Sequence, residues 1–374
     1  MSQTSEWSLW GAMSVGALAL GCPWVVGCGE AEGADPLTTL SSSTGVGGGG
    51  GAGGVATGGA GGMGGSGGAG GTEPVPDPFQ PPADNVDVWT GKLPPGGLLA
   101  DDVRVYFPNP APPNAPVPLL VFAHATGVGD NAYEATFRHI AKFGYVVASV
   151  EYGYNAIDPD HHAPADSMLA AIELLGQNPP TELESVVDVT RLAVGGHGLG
   201  AKAALWMALE GADVDAVVAF DPKDDEQGLI PSPKRPSLTP ELMTSMATPT
   251  LYLGAELGPA GITHCTPRES NACRFFEETP SGISAWLMML AGFGHLQFVD
   301  GYSCVACLTC NRGEESEHAA IQVVARGLTV AFLGAILDGQ SGYLTYLEGP
   351  ELEQLQQNGR LLDDQEQFQF CAEQ

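Results

Sequence analysis

The stretch that decides the fold is Leu192-Ala193-Val194-Gly195-Gly196-His197-Gly198-Leu199-Gly200-Ala201-Lys202-Ala203-Ala204. It begins with three apolar residues, continues with four glycines in six positions, and ends in an alanine-rich segment. A short apolar run is typical of a buried strand, glycines permit a tight turn, and alanine, leucine and lysine favour a helix. The stretch therefore predicts a strand, a sharp turn and a helix in direct succession.

Short apolar runs and helical patterns alternate on both sides of this turn. The patterns predict strands at 103–107, 117–123, 145–150, 192–194, 214–220, 250–253 and 286–290, and helices at 132–143, 164–175, 202–210 and 319–337. Such alternation is typical of a mostly parallel sheet with helices on both faces. We therefore expect an α/β domain over residues 86–374.

The first 85 residues are expected to lie outside that domain. An apolar segment leads to Val25-Val26-Gly27-Cys28, which is typical of a lipoprotein signal over residues 1–28 whose Cys28 becomes lipidated. No Lys or Arg precedes the apolar run, unlike the usual signal, so simple cleavage or retention remain alternatives. Residues 29–85 are rich in Gly, Ser and Pro and predict a disordered linker. The expected location is the cell envelope, with a lipid anchor or after secretion.

The cysteines fit an exported protein. Of eight cysteines, Cys22 and Cys28 belong to the signal segment, and the other six are Cys265, Cys273, Cys304, Cys307, Cys310 and Cys371. An even set in an oxidising compartment predicts disulfides, with the pairing left open. The spacing from 304 to 310 is an alternative metal pattern, but no fourth ligand follows at a matching spacing.

The charge limits the partners. A formal net charge of -30 opposes binding to nucleic acid or to anionic membrane surfaces, because both attract basic patches. We therefore expect membrane contact through a lipid anchor alone.

The glycine turn has the form of a nucleophile elbow, G-x-S-x-G, in which a serine stands at the tip of the turn. The tip is Gly198, which has no side chain, so the nucleophile position is vacant. The helix that follows would still aim its N-terminal N–H groups at a developing oxyanion. The turn thus keeps every part of the elbow except the hydroxyl group.

From about Pro118 to Leu337 the chain resembles the chlorophyllase-like branch of the α/β-hydrolases, which are carboxylic-ester hydrolases. The resemblance rests on the strand and loop 118–127, on 132–148, on the elbow, on Ala219-Phe220-Asp221-Pro222 and on 292–300. It implies the α/β-hydrolase fold, with His295 as general base and Asp221 as the acid that orients it. It also implies an oxyanion hole formed by the backbone N–H groups of Thr126 and Leu199. We expect neither a cofactor nor a metal ion.

Several residues allow a second interpretation. Glu256 follows the strand at 250–253, where many hydrolases of this fold carry the acid, and it is the alternative to Asp221. We expect His124 to pack beneath the oxyanion loop. We expect His161 and His162 to form an exposed loop pair rather than a metal site.

The prediction for function follows from the vacant position. We expect a hydrolase relative that is catalytically silent or weak and that binds an acyl or ester ligand. One alternative is a working carboxylic-ester hydrolase, either by attack of water through His295 or because residue 198 is misread in the sequence. A minor alternative is a dinucleotide-binding protein, since Gly196-x-Gly198-x-x-Ala201 fits the relaxed fingerprint and Asp221 follows about 20 residues later. Its position in the middle of the domain argues against that alternative.

Overall fold

A computed structural model of the chain describes residues 74–93, 102–153, 160–224, 232–260, 265–301, 310 and 313–372. All of them belong to one structural unit, residues 68–374. The predicted lipoprotein signal with Cys28, most of the predicted linker, Cys304 and Cys307 lie outside the described residues.

An eight-stranded sheet with the order β1-β2-β4-β3-β5-β6-β7-β8 forms the centre of the domain. The strands are β1 (Val86–Lys92), β2 (Asp102–Pro108), β3 (Val117–Ala123), β4 (Val146–Val150), β5 (Val187–His197), β6 (Ala216–Phe220), β7 (Thr250–Ala255) and β8 (Ala285–Leu290). Strand β2 pairs antiparallel with β1 and β4, and the other pairs are parallel. All seven residues of β3 are buried, as its continuous apolar run predicts. The predicted α/β class is confirmed.

Helices cover both faces of the sheet. They are α1 (Glu134–Lys142), α2 (Ala163–Gln177), α3 (Leu199–Leu209), α4 (Ala272–Glu278), α5 (Glu315–Ile336), α6 (Thr345–Glu348), α7 (Pro350–Gln357) and α8 (Asp364–Ala372). Helices α2 and α3 pack into one apolar core and α1 and α5 into the other. Helix α5 is long and apolar enough to cross a membrane, but 67% of its most apolar window is buried inside the domain. Helix α5 is therefore the core helix on the face of the sheet that α1 also covers.

Three parts of the described chain go beyond the elements and bounds that the sequence predicts. Strand β1 was not predicted, because this edge strand leaves most of its residues partly or fully exposed and its sequence is only weakly apolar. The acidic C-terminal segment forms α7 and α8, and the Cys273–Cys371 disulfide ties α8 to α4. Contacts with the domain also begin before Val86. The ring of Phe79 packs edge-on against Tyr346, with 5.6 Å between the ring centroids.

Candidate active site

The turn between β5 and α3 has the geometry of a nucleophile elbow although it carries no nucleophile. Gly198 has φ 56° and ψ -113°, in the left-handed half of the map that side chains rarely adopt. A Cβ atom placed on it would lie 3.3 Å from Nε2 of His295 and 3.7 Å from Cβ of Ala125. The turn also presses closely on β3, because a Cβ on Gly200 would meet the carbonyl oxygen of Ala123 at 2.1 Å. The elbow backbone is thus in place, and its tip faces the histidine.

The histidine and the acid that the sequence singled out are in direct contact. Nδ1 of His295 lies 2.8 Å from Oδ2 of Asp221, whose side chain is only 1% exposed. A carboxylate accepts hydrogen bonds, so this contact places the imidazole proton on Nδ1 and leaves a lone pair on Nε2, the ring nitrogen nearer to Gly198. Asp221 has φ 39°, a left-handed conformation that costs a side-chain-bearing residue about 1–3 kcal/mol. Backbone strain of this kind is typical of a functional position.

Besides His295, the Asp221 carboxylate has a second side-chain partner, Thr266, which the sequence does not predict. The Thr266 hydroxyl donates to Oδ2 of Asp221 at 2.9 Å, and the Ala255 N–H donates to Oδ1 at 3.1 Å. Thr266 lies in a loop without any recognisable motif, so no sequence signal pointed to it. Its neighbour Cys265 forms a disulfide with Cys310. The covalent link therefore fixes the loop that supports the acid.

These contacts also bear on the dinucleotide interpretation. That fingerprint needs a carboxylate available to the ribose hydroxyl groups. Oδ2 of Asp221 is bound by His295 and Thr266, and the side chain is buried. Asp221 is therefore already engaged as the partner of the histidine.

The oxyanion loop is held to the elbow by a buried tyrosine. The Ala125 N–H donates to the Tyr133 hydroxyl oxygen at 3.1 Å, and that oxygen lies 2.8 Å from Nδ1 of His197 in the elbow. Burial raises the pKa of Tyr133 and lowers the pKa of His197 well below its usual value, so both groups are neutral. Thr126 follows this anchor, and Leu199 is the first residue of α3, where backbone N–H groups lack partners within the helix. The two expected oxyanion donors thus lie on segments that Tyr133 fastens together.

His124 packs beneath this loop. Its ring stacks on the ring of Tyr152, with 4.2 Å between centroids and 9° between planes. Its Nε2 lies 3.2 Å from Oε1 of Glu151, which is an ion-pair distance without hydrogen-bond alignment. Burial raises the pKa of Glu151, but the adjacent His124 ring and the Asp130 N–H more than offset that effect, so the pKa of Glu151 is lowered. The aromatic and acidic neighbours therefore hold His124 as a support of the loop.

The alternative acid has a different partner. Oε2 of Glu256 accepts the Gly292 N–H at 2.6 Å, which ties the end of β7 to the turn that precedes the histidine. Of the two candidate acids, Asp221 is the one hydrogen-bonded to His295.

The prediction of an exposed histidine pair is wrong for the first member. His161 is only 3% exposed, and its Nδ1 lies 3.4 Å from Nζ of Lys202. Lys202 forms a buried ion pair with Asp224 at 2.9 Å. Burial raises the pKa of Asp224. The Lys202 charge and the backbone N–H groups of 238–239 lower it by a larger amount, so the net shift is downward. A buried ammonium group needs such partners, and this requirement draws His161 inside while His162 stays partly exposed.

Among the described residues, no group of three His, Cys, Asp or Glu could hold a metal ion.

The disulfide prediction is confirmed for four cysteines. They pair as Cys265–Cys310 and Cys273–Cys371, a connectivity that the sequence left open. Cys310 packs against the small apolar cluster of Ala125 and Leu296 beside the site. One of the two disulfides therefore adjoins the candidate active site.

The chemistry that these groups can perform is limited by what is missing. A buried acid orients a histidine, and the helix terminus and loop can stabilise an oxyanion. The position that would carry the covalent nucleophile holds only a hydrogen atom. The arrangement can bind and polarise an ester carbonyl, but it cannot form an acyl-serine.

Comparison with known proteins agrees with this geometry. The chain is 25% identical over 265 residues to chlorophyllase-1, chloroplastic, of Citrus unshiu, a match that covers 62% of this chain and 76% of that protein. It is 23% identical over 249 residues to chlorophyllase type 0 of Chenopodium album, covering 60% and 70% of the two chains. It is 27% identical over 160 residues to cutinase 2 of Thermobifida cellulosilytica, covering 42% and 52%. The sequence model of the chlorophyllase family matches residues 105–355, which is more than half of the chain. The chain therefore belongs to the chlorophyllase family of α/β-hydrolases.

Proposed function

We propose that this protein binds a carboxylic-ester or acyl ligand in the candidate active site and turns it over weakly or not at all. One observation carries the proposal. Gly198 occupies the tip of a fully formed elbow. A Cβ atom placed on Gly198 would lie 3.3 Å from Nε2 of His295. We take the N–H groups of Thr126 and Leu199 as the parts that bind and polarise a carbonyl group, whereas the side chain that would attack it is absent.

The expected loss of activity is large. Removing the serine of a hydrolase triad costs about 10⁶ in kcat, and the oxyanion hole and binding alone retain about 10³–10⁴ over the reaction in water. Such a remaining rate enhancement is far below that of a working esterase. We therefore propose that ligand binding is the main property of the site.

We also propose that the protein is exported and anchored to the cell envelope through a lipid on Cys28. The pattern that ends at Cys28 supports this, and the two disulfides are compatible with an oxidising compartment. Metabolic labelling with a fatty acid tests the anchor. Label in the wild type that disappears in Cys28→Ser supports it, and a fully soluble, unlabelled wild type contradicts it.

The second candidate function is a working carboxylic-ester hydrolase. The complete contact between His295 and Asp221 favours it, because this pair can deprotonate a water molecule placed where the serine side chain would be. A serine misread as Gly198 leads to the same activity by the ordinary route, and resequencing the gene tests that possibility.

Two measurements separate binding from turnover. The first is hydrolysis of p-nitrophenyl butyrate by the wild type and by His295→Gln. The second is binding of the corresponding ketone, in which CH₂ replaces the ester oxygen, measured by calorimetry or thermal shift. Ketone binding with little His295-dependent hydrolysis supports the binding function. Rapid hydrolysis that His295→Gln abolishes supports the working hydrolase, and absence of both ketone binding and His295-dependent hydrolysis contradicts both functions.

A further inference from the structure

Because residue 198 has no side chain, His295 borders the space that a serine side chain would fill, where we expect the carbonyl carbon of a bound ester to lie. The nearest atoms to a Cβ on Gly198 are Cε1 and Nε2 of His295, at 3.2 and 3.3 Å. Asp221 holds the proton of the ring on Nδ1, so the Nε2 lone pair is free of a proton and Nε2 borders this space. In a serine hydrolase the hydroxyl group would separate this lone pair from the substrate. Here no described residue lies between them.

We propose that His295 itself is the nucleophile of this site and that it is acylated at Nε2 by activated esters and thioesters. The inference rests on the proposed function, because the acyl group must first bind with its carbonyl oxygen at Thr126 and Leu199. Histidine is a known covalent nucleophile in enzymes. A carbonyl carbon that advances into the volume left by the serine side chain comes within the near-attack range of about 3–3.5 Å of Nε2.

The step balances without any reactant other than the ester and water. The Nε2 lone pair forms a bond to the carbonyl carbon, and the bond from that carbon to the phenolate or thiolate breaks with its electron pair on the leaving group. The acyl-imidazolium that results keeps its Nδ1 proton and pairs with the Asp221 carboxylate. Water then attacks the acyl carbon, the carbon–nitrogen bond breaks, and its electrons return to Nε2. One proton passes to solvent, where it neutralises the leaving group.

The mechanism selects the class of substrate. In a full triad the histidine returns a proton to the leaving group, but a histidine that is bonded to the acyl carbon cannot do so. The leaving group must therefore depart as an anion. Imidazole leaves more readily than an alkoxide, so attack on an alkyl ester reverts to the starting material. A leaving group competes with imidazole only when its conjugate acid is nearly as acidic as imidazolium, which holds for p-nitrophenolate and, less closely, for thiolates. The reactive substrates are therefore activated aryl esters and thioesters.

The other histidine of the elbow serves as an internal control. His197 is fully buried, its Nδ1 is bound to the Tyr133 hydroxyl group, and burial keeps it neutral. Its ring packs against the ring of His295, with 4.5 Å between the centroids. A substrate cannot reach it without displacing His295, so an acyl group is expected on His295 alone.

The experiment uses the wild-type protein and p-nitrophenyl acetate. We expect a burst of about one p-nitrophenolate per protein molecule and, after an acid quench, one acetyl group on the peptide that contains His295. The adduct should be removed by hydroxylamine, unlike acetyl groups on lysine. His295→Gln should abolish the burst, whereas His162→Gln, a partly exposed histidine outside the site, should leave it unchanged.

A second measurement covers the case in which deacylation is too fast for the adduct to accumulate. Products are partitioned between water and added hydroxylamine, with p-nitrophenyl acetate and with an acetyl thioester. A common acyl-imidazole intermediate gives the same product ratio for both substrates. A ratio that differs between them, with release that still depends on His295, overturns the proposal in favour of direct attack by water. Ketone binding without His295-dependent release also overturns it but leaves the proposed binding function standing, whereas loss of ketone binding removes that function itself.

Discussion

Restoring the missing hydroxyl group by Gly198→Ser is the change with the largest expected effect. The serine side chain would adopt the backbone conformation that glycine now has, φ 56° and ψ -113°, at a cost of about 1–3 kcal/mol. Its Cβ would lie 3.2 Å from Cε1 of His295, so the ring must move by a few tenths of an ångström. For a domain of this size we expect the melting temperature to fall by about 2–4 °C for each kcal/mol.

The gain in activity should exceed this loss in stability by far. Nδ1–H of His295 already donates to the Asp221 carboxylate at 2.8 Å, and Nε2 of His295 lies beside the position that the new hydroxyl group would occupy. Loss of the serine from a working triad costs about 10⁶ in kcat, so a well-formed site should recover at least about 10³-fold when it returns. The gain should appear in kcat, because the hydroxyl group acts in the chemical step and not in binding.

The assay is hydrolysis of p-nitrophenyl butyrate, with two matched controls. Gly198→Ala introduces the same backbone strain without a hydroxyl group and should show no gain over the wild type. Gly198→Ser combined with His295→Gln should lose the gain. A Gly198→Ser protein that folds and binds the ketone, yet gains less than about tenfold in kcat, would refute the reasoning, because the barrier would have fallen by under about 1.4 kcal/mol.

Three further outcomes follow from buried groups elsewhere in the domain. Lys202→Met leaves the Asp224 charge buried without its counter-ion, so it should cost about 3–5 kcal/mol in the free energy of unfolding, whereas the double variant Lys202→Met/Asp224→Asn should cost less, because it removes the charge and keeps an acceptor oxygen for the N–H groups of 238–239. Urea unfolding compares the three proteins. Burial lowers the pKa of His139 from 6.5 to about 4, so its contribution is complete above pH 6.5 and is lost as the pH falls toward 4. The wild type should therefore lose about 3 kcal/mol more than His139→Gln over that interval, and equal pH dependence would contradict this. In the restored enzyme, Thr266→Val removes one donor to Asp221 and should lower kcat by about 3–10-fold, with Thr266→Ser as the variant that recovers it.

The sheet could be predicted where its strands are buried on both faces. The apolar run at 117–123 predicted β3 with the bounds that the structure has. Strand β5 was predicted only at 192–194, because its first half, 187–191, carries charged and polar residues that obscure the strand pattern. Buried strands have a strong apolar signal, and strands or strand ends that meet solvent do not.

The candidate site divides in the same way. Asp221 and His295 were predictable because each lies in a short motif just beyond a strand end. Thr266 and Tyr133 were not, because their roles depend on contacts with residues 45 and 64 positions away in the chain. His161 was assigned to the surface because the sequence did not show that Lys202 is buried beside it. Short motifs can be read locally, whereas supporting contacts require the fold.

The central claim is that the site is an intact hydrolase site that lacks only the serine side chain at residue 198. Labelling of Gly198→Ser with an alkyl fluorophosphonate, followed by intact-mass and peptide analysis, tests it without knowledge of the natural ligand. Such a reagent phosphonylates an activated serine whatever acyl group the pocket prefers. We predict one adduct on residue 198 in Gly198→Ser, and none on that residue in the wild type or when His295→Gln is added. A folded Gly198→Ser protein that takes up no label would contradict the claim.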